Sequence, residues 1–515
     1  MDKKEQERKT LHTTIWRIAN ELRGSIDGWD FKQYVLGMLF YRFISENLSY
    51  YINEKQAGKS DYAKLEDERA KLDCKNILVE KGFFIYPSEL FENVRSKAIS
   101  DINDLNETLD RVFKNIENSA KGTSSENNIV GLFSDVDVNS SKLGETVEKR
   151  NKLLIKIINA IGDLSLGNFS DNAIDVFGDA YEYLMTMYAA NAGKSGGEFF
   201  TPQEVSELLV RIASVGKKRF GKVYDPCCGS GSLLLKFVKV FGKDNVKFYG
   251  QEKNMTTYNL CRINMFLHDV NYTDFNIALG DTLTEPKHKD DKPFDAIVFN
   301  PPYSIKWDGD SNPILINDER FTPAGVLAPK SKADFAFVMH ALSWLARDGV
   351  AAIVCYPGIM HRSIEQKIRK YLIENNFVDC VIQLPKDLFF GTSTATSVLV
   401  LKKNKDKNKT LFIDASAEFV RRSTKNKLTE ENIEKILDCF TKRETIEYFS
   451  KLVDNDEIVR NNYDYSVGTY VAKKDTREIV DIAKLNAEID GIVARENVLR
   501  SGIDAIVADL EENKR

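Results

Sequence analysis

Residues 294–303 read Phe-Asp-Ala-Ile-Val-Phe-Asn-Pro-Pro-Tyr: an apolar run of strand type that ends in an amide, two prolines and a phenol. The chemistry these types suit is transfer to an amine. An aromatic exocyclic amine is a poor nucleophile because its lone pair is delocalised into the ring. Two acceptors aimed at its hydrogens draw the nitrogen toward tetrahedral geometry and point the lone pair at an incoming methyl group. The Asn300 side-chain oxygen and the Pro301 carbonyl can serve as those acceptors. Pro301 and Pro302 stiffen the backbone that carries them, and Tyr303 offers a ring for a planar base drawn out of its stack. Such a site works by orientation and polarity. Asn/Asp/Ser-Pro-Pro-aromatic arises by chance in about 1 in 50 chains of this length, so its context decides its meaning.

That context lies upstream. Tyr224-Asp225-Pro226-Cys-Cys-Gly229-Ser230-Gly231-Ser232 follows one apolar run and opens a helical one. Glycines at a helix N-terminus let the backbone approach a ligand closely. The next apolar run ends at Glu252, 21 residues after Gly231, where an acidic side chain accepts hydrogen bonds from ribose hydroxyls. A third run ends at Asp281. Ligands of doubly wound sheets sit at the carboxyl ends of the strands, so three successive strand ends surround one nucleoside. Position 234 is Leu where a dinucleotide fingerprint has its third Gly. With Asp-Pro ahead of it, the turn fits S-adenosylmethionine, which carries methionine where a dinucleotide carries pyrophosphate.

These groups need a frame. Short apolar runs at 222–224, 246–249, 275–279, 296–299, 350–355, 378–383 and 397–401 alternate with helical patterns such as 232–241 and 334–345. That alternation predicts an α/β fold, a Rossmann-like, mostly parallel sheet covered on both faces. The last two runs lack a helix between them, so one strand is expected antiparallel at the edge. Residues 1–165 read as an all-α domain, with an almost wholly apolar helix over 34–44 and further helices around 105–113 and 147–161. The Ser/Asn/Lys/Gly-rich stretch 118–145 reads as long loops. The catalytic domain is placed at 166–410 and a C-terminal extension at 411–515. Within that extension Ile482, Leu485, Ile489, Ile492, Glu496, Leu499, Ile503, Ile506 and Leu510 step by 3 and 4, a heptad seam suited to a partner chain.

In sum the motifs resemble the amino-methyltransferases, which modify N6 of adenine, N4 of cytosine or glutamine amides. Gly197-Glu198-Phe199-Phe200-Thr201-Pro202-Gln203 ahead of the glycine turn is similar to the Phe-Thr-Pro segment that closes over the methionine end of the cofactor in gamma-class adenine methyltransferases. From the residues alone Thr201-Pro202 is a helix cap with proline at the first position. Nearly the whole chain resembles the modification subunit of type I restriction–modification enzymes. Trp16, Ala19–Gly24, Trp29–Lys32, Gly391–Val398 and Asn462–Val467 carry the likeness outside the two sites. The resemblance implies adenine-specific DNA methylation with base flipping, by two such subunits joined to one DNA-specificity subunit and associated with a restriction subunit. It gives cofactor contacts to Glu198–Gln203 and to Asp225, Gly229, Ser230, Gly231, Ser232, Glu252 and Asp281. Catalysis goes to Asn300, Pro301, Pro302 and Tyr303.

The charge balance fits a shared task. The chain of 515 residues has a net charge of −5, whereas a protein that grips DNA unaided usually shows a basic footprint. Nothing after Leu401 is long enough for an obvious target-recognition domain, so sequence reading is expected to lie in a partner. The 7 cysteines are scattered without zinc spacing and read as reduced thiols; no metal is expected at His268, His340 or His361. Lys306-Trp307 and the loop 321–332 are candidates to line the base pocket or the DNA channel. No run reaches the ~18 apolar residues of a membrane span, and a cytoplasmic location is expected. Two alternatives stay open: a protein glutamine N5-methyltransferase, and a cofactor-binding scaffold inactive without its partner.

Overall fold

The computed structural model describes residues 28–55, 61–164, 176–191, 201–242, 246–389, 392–422, 425–473 and 481–512, with a few positions between 9 and 16. Glu198, Phe199, Phe200, Gly391 and Ala19–Gly24 lie outside the described residues. Two compact units are present, residues 1–471 and 472–515.

The first unit begins with helices α1 (Gly28–Lys55), α2 (Phe91–Ser100), α3 (Leu105–Ser119), α4 (Val147–Gly162) and α5 (Val176–Asn191). The local reasons are plain in α3 and α4. Leu105, Leu109, Val112, Phe113 and Ile116 put one apolar stripe of α3 into the core. The Thr146 hydroxyl accepts from the Lys149 N–H at 3.2 Å and caps α4. Arg42 of α1 donates to the carbonyls of Ile161 and Leu164, tying the first helix to the end of α4. Among the described residues, 118–145 holds only short helical turns and bends between these helices, as expected.

The strands fall where the apolar runs predict them. They are β1 (Lys222–Asp225), β2 (Lys247–Glu252), β3 (Phe275–Leu279), β4 (Phe294–Phe299), β5 (Leu345–Cys355), β6 (Val378–Gln383) and β7 (Ser397–Lys402). Helices α6 (Gln203–Ser214), α7 (Ser232–Phe241), α8 (Met255–Leu267), α9 (Asp334–Trp344) and α10 (Gln366–Glu374) pack around them. Two further strands, β8 (Lys409–Asp414) and β11 (Ser450–Asp454), complete a 9-stranded sheet in the order β11-β8-β6-β7-β5-β4-β1-β2-β3. The α/β fold is therefore as expected, mostly parallel with an antiparallel edge strand, but the edge strand is β11. The antiparallel β7 sits inside, paired on one side with β5 and on the other with β6. Ser397–Leu401 is buried on both faces, which suits a central slot and not an edge. The sheet also runs past residue 410, since β8 straddles that point. Between β8 and β11 lie a two-stranded ribbon, β9 (Val420–Arg422) with β10 (Lys425–Lys427), and helix α11 (Glu430–Lys442).

The helical region and the sheet share one apolar core, in which Phe40 of α1 meets Phe266 of α8. Arg262 of α8 is 1% exposed and donates to the carbonyls of Asn127 and Val130, both at 2.9 Å. A buried guanidinium whose donors are taken by loop carbonyls fixes that loop against the sheet. The second unit contains a single 31-residue helix, α12 (Ile482–Glu512). It continues through Gly491 and Gly502, and every described residue of it is solvent-exposed. Among the described residues, no helix is long and apolar enough to cross a membrane.

Candidate active site at the carboxyl edge of the sheet

β1 ends in Asp225, which is 2% exposed. Its Oδ1 accepts the Cys227 N–H at 2.9 Å and so shapes the turn that follows. Gly229 and Gly231 both have positive φ, +53° and +79°. At Gly231 a Cβ would stand 2.7 Å from Cys261 Sγ, so only glycine fits both the dihedral and the space. The turn closes through Gly231 N–H to the Cys228 carbonyl at 2.8 Å and leads into α7 at Ser232. Ser230 and Ser232 are buried beside it. Asn264 of α8 donates to the Ser230 carbonyl at 2.9 Å.

One strand over, Glu252 ends β2. Its Oε2 accepts the Gly229 N–H at 3.1 Å and its Oε1 the Asn254 N–H at 2.8 Å. Asp281 follows β3, held by the Leu283 N–H and by Lys253 at 2.8 Å. Thr282 donates to the Pro226 carbonyl at 2.6 Å, joining the third strand end to the first turn. Burial pushes the Glu252 carboxyl above the usual carboxylate range. It does the same to Asp225, with the neighbouring Glu252 charge adding to the effect. The three strand-end acids and the glycine turn predicted from sequence are thus brought to one place.

Asn300 stands at the end of β4, the strand that pairs in parallel with β1. Its amide Nδ2 donates to Thr201 Oγ1 at 3.2 Å, and its Oδ1 accepts the Tyr303 hydroxyl at 2.5 Å. Sequence reasoning took Thr201 for a helix cap. Instead Pro202 is the cap of α6, Gln203 is the first helical residue, and the Thr201 hydroxyl turns to Asn300. The Thr201 hydroxyl therefore flanks the end of β4, and Gln203, the next residue but one, differs in kind. Both polar atoms of its side-chain amide are buried without a hydrogen-bond partner among the described residues. A buried amide without a partner is costly, and Gln203 stands two positions from Thr201 at the start of α6.

Several residues at this edge carried no sequence signal. Ser304 has φ +53°, and its N–H is held by Asp334 Oδ1 at 3.2 Å. Asp334 is 4% exposed, on the first turn of α9, with Arg362 Nη2 3.8 Å from its other oxygen. Tyr356, just after β5, tilts against Tyr303 with ring centroids 6.4 Å apart. Burial pushes the Tyr303 phenol up, so its proton stays on the oxygen at any working pH. An acid at a helix start and an aromatic after a strand are common, and only the tertiary contact distinguishes these two.

The loop after the motif is held by its own contacts. Trp307 is buried against Phe321, and its indole N–H donates to the Pro329 carbonyl at 3.1 Å. It braces the loop. Arg320, 3% exposed, donates to the carbonyls of Thr282 and Leu283 and to Asp318, and touches His340 at 3.1 Å. His340 also meets the Tyr224 hydroxyl at 3.2 Å. Burial, then the Arg320 charge, push His340 well below its ordinary range, so it stays neutral. This network pins the loop to the end of β3. No cluster of His, Cys, Asp or Glu suited to a metal occurs among the described residues.

An Asp-and-glycine turn and an Asn-Pro-Pro-Tyr strand end on neighbouring strands are the arrangement of an amino-methyltransferase, and the matches to known proteins make it a DNA methyltransferase. The family model described as N-6 DNA Methylase matches residues 172–479, and that of the HsdM N-terminal domain matches residues 11–161. The chain belongs to the N-6 DNA methylase family and, within it, to the methylase subunits of type I restriction enzymes. It is 50% identical to the type I restriction enzyme MpnII methylase subunit of Mycoplasma pneumoniae over 99% of this chain and 98% of that one. It is 31% identical to the MjaVII methylase subunit of Methanocaldococcus jannaschii over 92% of this chain and 78% of that one. The crystal structure of a type I restriction-modification methyltransferase subunit from Streptococcus thermophilus superposes with a TM-score of 0.82 and 35% identity, covering 90% of this chain and 99% of that chain.

Proposed function

We propose that the chain transfers a methyl group from S-adenosylmethionine to N6 of an adenine flipped out of double-stranded DNA. The observation that carries the proposal is Asn300, held between Thr201 and Tyr303 at the end of β4, one strand from the Asp225–Gly231 turn. The residues fit the cofactor. Glu252 can accept from ribose hydroxyls, and Asp225 and Asp281 add carboxylates beside a cation. The orphan amide of Gln203 supplies both a donor and an acceptor. Glu198, Phe199 and Phe200 are proposed to complete the methionine end. When bound, S-adenosylmethionine supplies a methyl group on a positively charged sulfur.

The chain's own residues do the rest. The Pro301 carbonyl and Asn300 Oδ1 accept the two N6 hydrogens, while Thr201 holds the Asn300 amide so that its oxygen faces the substrate. The Tyr303 hydroxyl occupies that oxygen until a base arrives and must give way to it. Its ring supports the base. Orientation of this kind supplies most of the acceleration.

Sequence reading is assigned to a partner. We infer assembly of two such chains with one specificity protein through the exposed seam of α12, and association with a restriction protein, in the cytoplasm. Deleting residues 475–515 is expected to abolish assembly with the specificity protein; intact assembly would contradict the role given to the helix. For the chemistry, Asn300→Ala should slow methyl transfer about 100- to 1,000-fold and leave cofactor binding largely intact. Loss of cofactor binding would mean the roles are misassigned.

A further inference from the structure

Beyond the catalytic strand end, the carboxyl edge carries one feature that the methylation chemistry does not use. The segment Phe419-Val-Arg-Arg-Ser-Thr-Lys-Asn-Lys427 contains 4 basic residues and no acidic one in a chain of net charge −5. Its residues Val420–Arg422 and Lys425–Lys427 form the ribbon β9–β10, in which Arg422 is paired directly with Lys425. Like charges opposite each other destabilise a two-stranded ribbon. Lys425 is neutralised locally, donating to the carbonyls of Phe389 at 2.7 Å and Thr392 at 3.1 Å. Arg422 has no hydrogen bond or ion pair to any described residue, and it is exposed beside the exposed ring of Phe419.

The ribbon is firmly placed. Asn426, 3% exposed, donates its side-chain amide to the Lys386 carbonyl at 2.9 Å and its N–H to the Asp387 carbonyl at 3.1 Å. That anchors it to the loop leaving the carboxyl end of β6. β6 runs parallel to β5 and β4, so this loop lies on the same edge as Asn300. Three strand spacings separate β6 from β4, or roughly 14 Å, close to the ~12 Å width of a DNA major groove. On its other flank Lys427 lies near Glu204 on the first turn of α6, where burial raises the carboxyl and the Lys427 ammonium opposes that rise. Glu204 is three residues from Thr201, whose hydroxyl holds Asn300. The ribbon therefore stands beside the site, on the side away from the cofactor turn.

We propose that the β9–β10 ribbon and the adjoining Lys386 clamp the phosphate backbone flanking the target base, with Arg422, Lys427 and Lys386 as the phosphate donors. The ribbon, rooted on buried Asn426, positions these charges, and Phe419 covers the adjacent sugar face. Contacts of this kind fix register and carry no sequence information, which suits a chain whose sequence reading lies elsewhere. The proposal rests on DNA being the substrate.

The test uses the full chain assembled with its specificity protein and duplex DNA carrying the target site. The triple variant Lys386→Gln/Arg422→Gln/Lys427→Gln changes exposed side chains only. It should raise the KM for DNA about 10- to 100-fold near 150 mM salt, leave kcat at saturating DNA and cofactor affinity unchanged, and flatten the plot of log affinity against log salt by about 2–3 units. Arg422→Lys alone should keep nearly the full slope. An unchanged slope, or a fall in kcat without a change in slope, would overturn the clamp. If the unmodified assembly fails to methylate DNA at all, the DNA reading itself falls, and the two failures are told apart by that control.

Discussion

The two halves of the sheet's carboxyl edge differ in the sign of their charge and in how they are built. On the β1–β2–β3 side, Asp225, Glu252 and Asp281 are gathered around a glycine turn, each fixed by backbone N–H groups. From β4 to β8 the edge carries, among the described residues, one strand-end carboxylate, Asp414 of β8, whose Oδ1 accepts the Ser416 N–H at 3.0 Å. It presents Asn300, prolines, Tyr303, Tyr356 and then the Arg/Lys ribbon. The first half suits a ligand that is cationic at sulfur and amine; the second suits a polyanion with a neutral base drawn out of it. On the proposed function, separating the signs across adjacent strands would let a cationic donor and an anionic acceptor bind without competing for the same groups. Asn300 sits at the seam, uncharged, where charge of either sign would favour one ligand over the other.

The largest expected effect comes from removing the seam. Asn300→Ala should lower kcat about 100- to 1,000-fold, the loss typical of a positioned hydrogen-bonding group at a reacting centre, with little change in the affinity for either ligand. Glu252→Gln should weaken the cofactor about 10- to 100-fold, the range for a lost charged hydrogen bond, and leave DNA affinity alone. A matched weakening of DNA would erase the distinction between the halves. Because burial holds the Glu252 and Asp225 carboxyls above their usual range, their ionised forms are lost earlier than normal as pH falls. Cofactor affinity should therefore drop on acidification at a pH above the ~4 of an ordinary carboxylate. Glu252→Gln should flatten that dependence in a calorimetric titration.

Smaller effects bear on support. Asp334→Asn keeps the shape but weakens the grip on the Ser304 N–H, and a roughly 10-fold fall in kcat at constant KM for the cofactor is expected. Gly231→Ala forces a Cβ into a positive-φ turn 2.7 Å from Cys261 Sγ. It should cost about 1–3 kcal/mol, read as a lowered Tm that added cofactor does not fully restore.

Much of the cofactor half was legible in the sequence, because its chemistry is local. Asp225, Gly229 and Gly231 lie within one turn, and Glu252 and Asp281 mark the ends of apolar runs. The other half depends on contacts distant in sequence. The hydroxyl of Thr201 reaches Asn300 across 99 positions, so a residue that reads locally as a cap serves elsewhere. The short helix-free link between β6 and β7 signals a reversal of direction, yet only the burial of both faces of β7 shows that it fills an interior slot. β11 went unread because an edge strand is half-exposed and its alternation is weak: Lys451 and Leu452 are both partly open to solvent. Trp307 looked available because it follows the motif, but its indole is consumed by the loop's own carbonyl.

The most direct measurement is the identity of the methylated nucleoside. Duplex DNA is incubated with methyl-labelled S-adenosylmethionine and the chain assembled with its specificity protein, then digested to nucleosides and separated. The account predicts label in N6-methyladenine, formed about 100- to 1,000-fold more slowly with Asn300→Ala. Label in cytosine or in protein glutamine, or an Asn300→Ala variant as active as the unmodified chain, would contradict it.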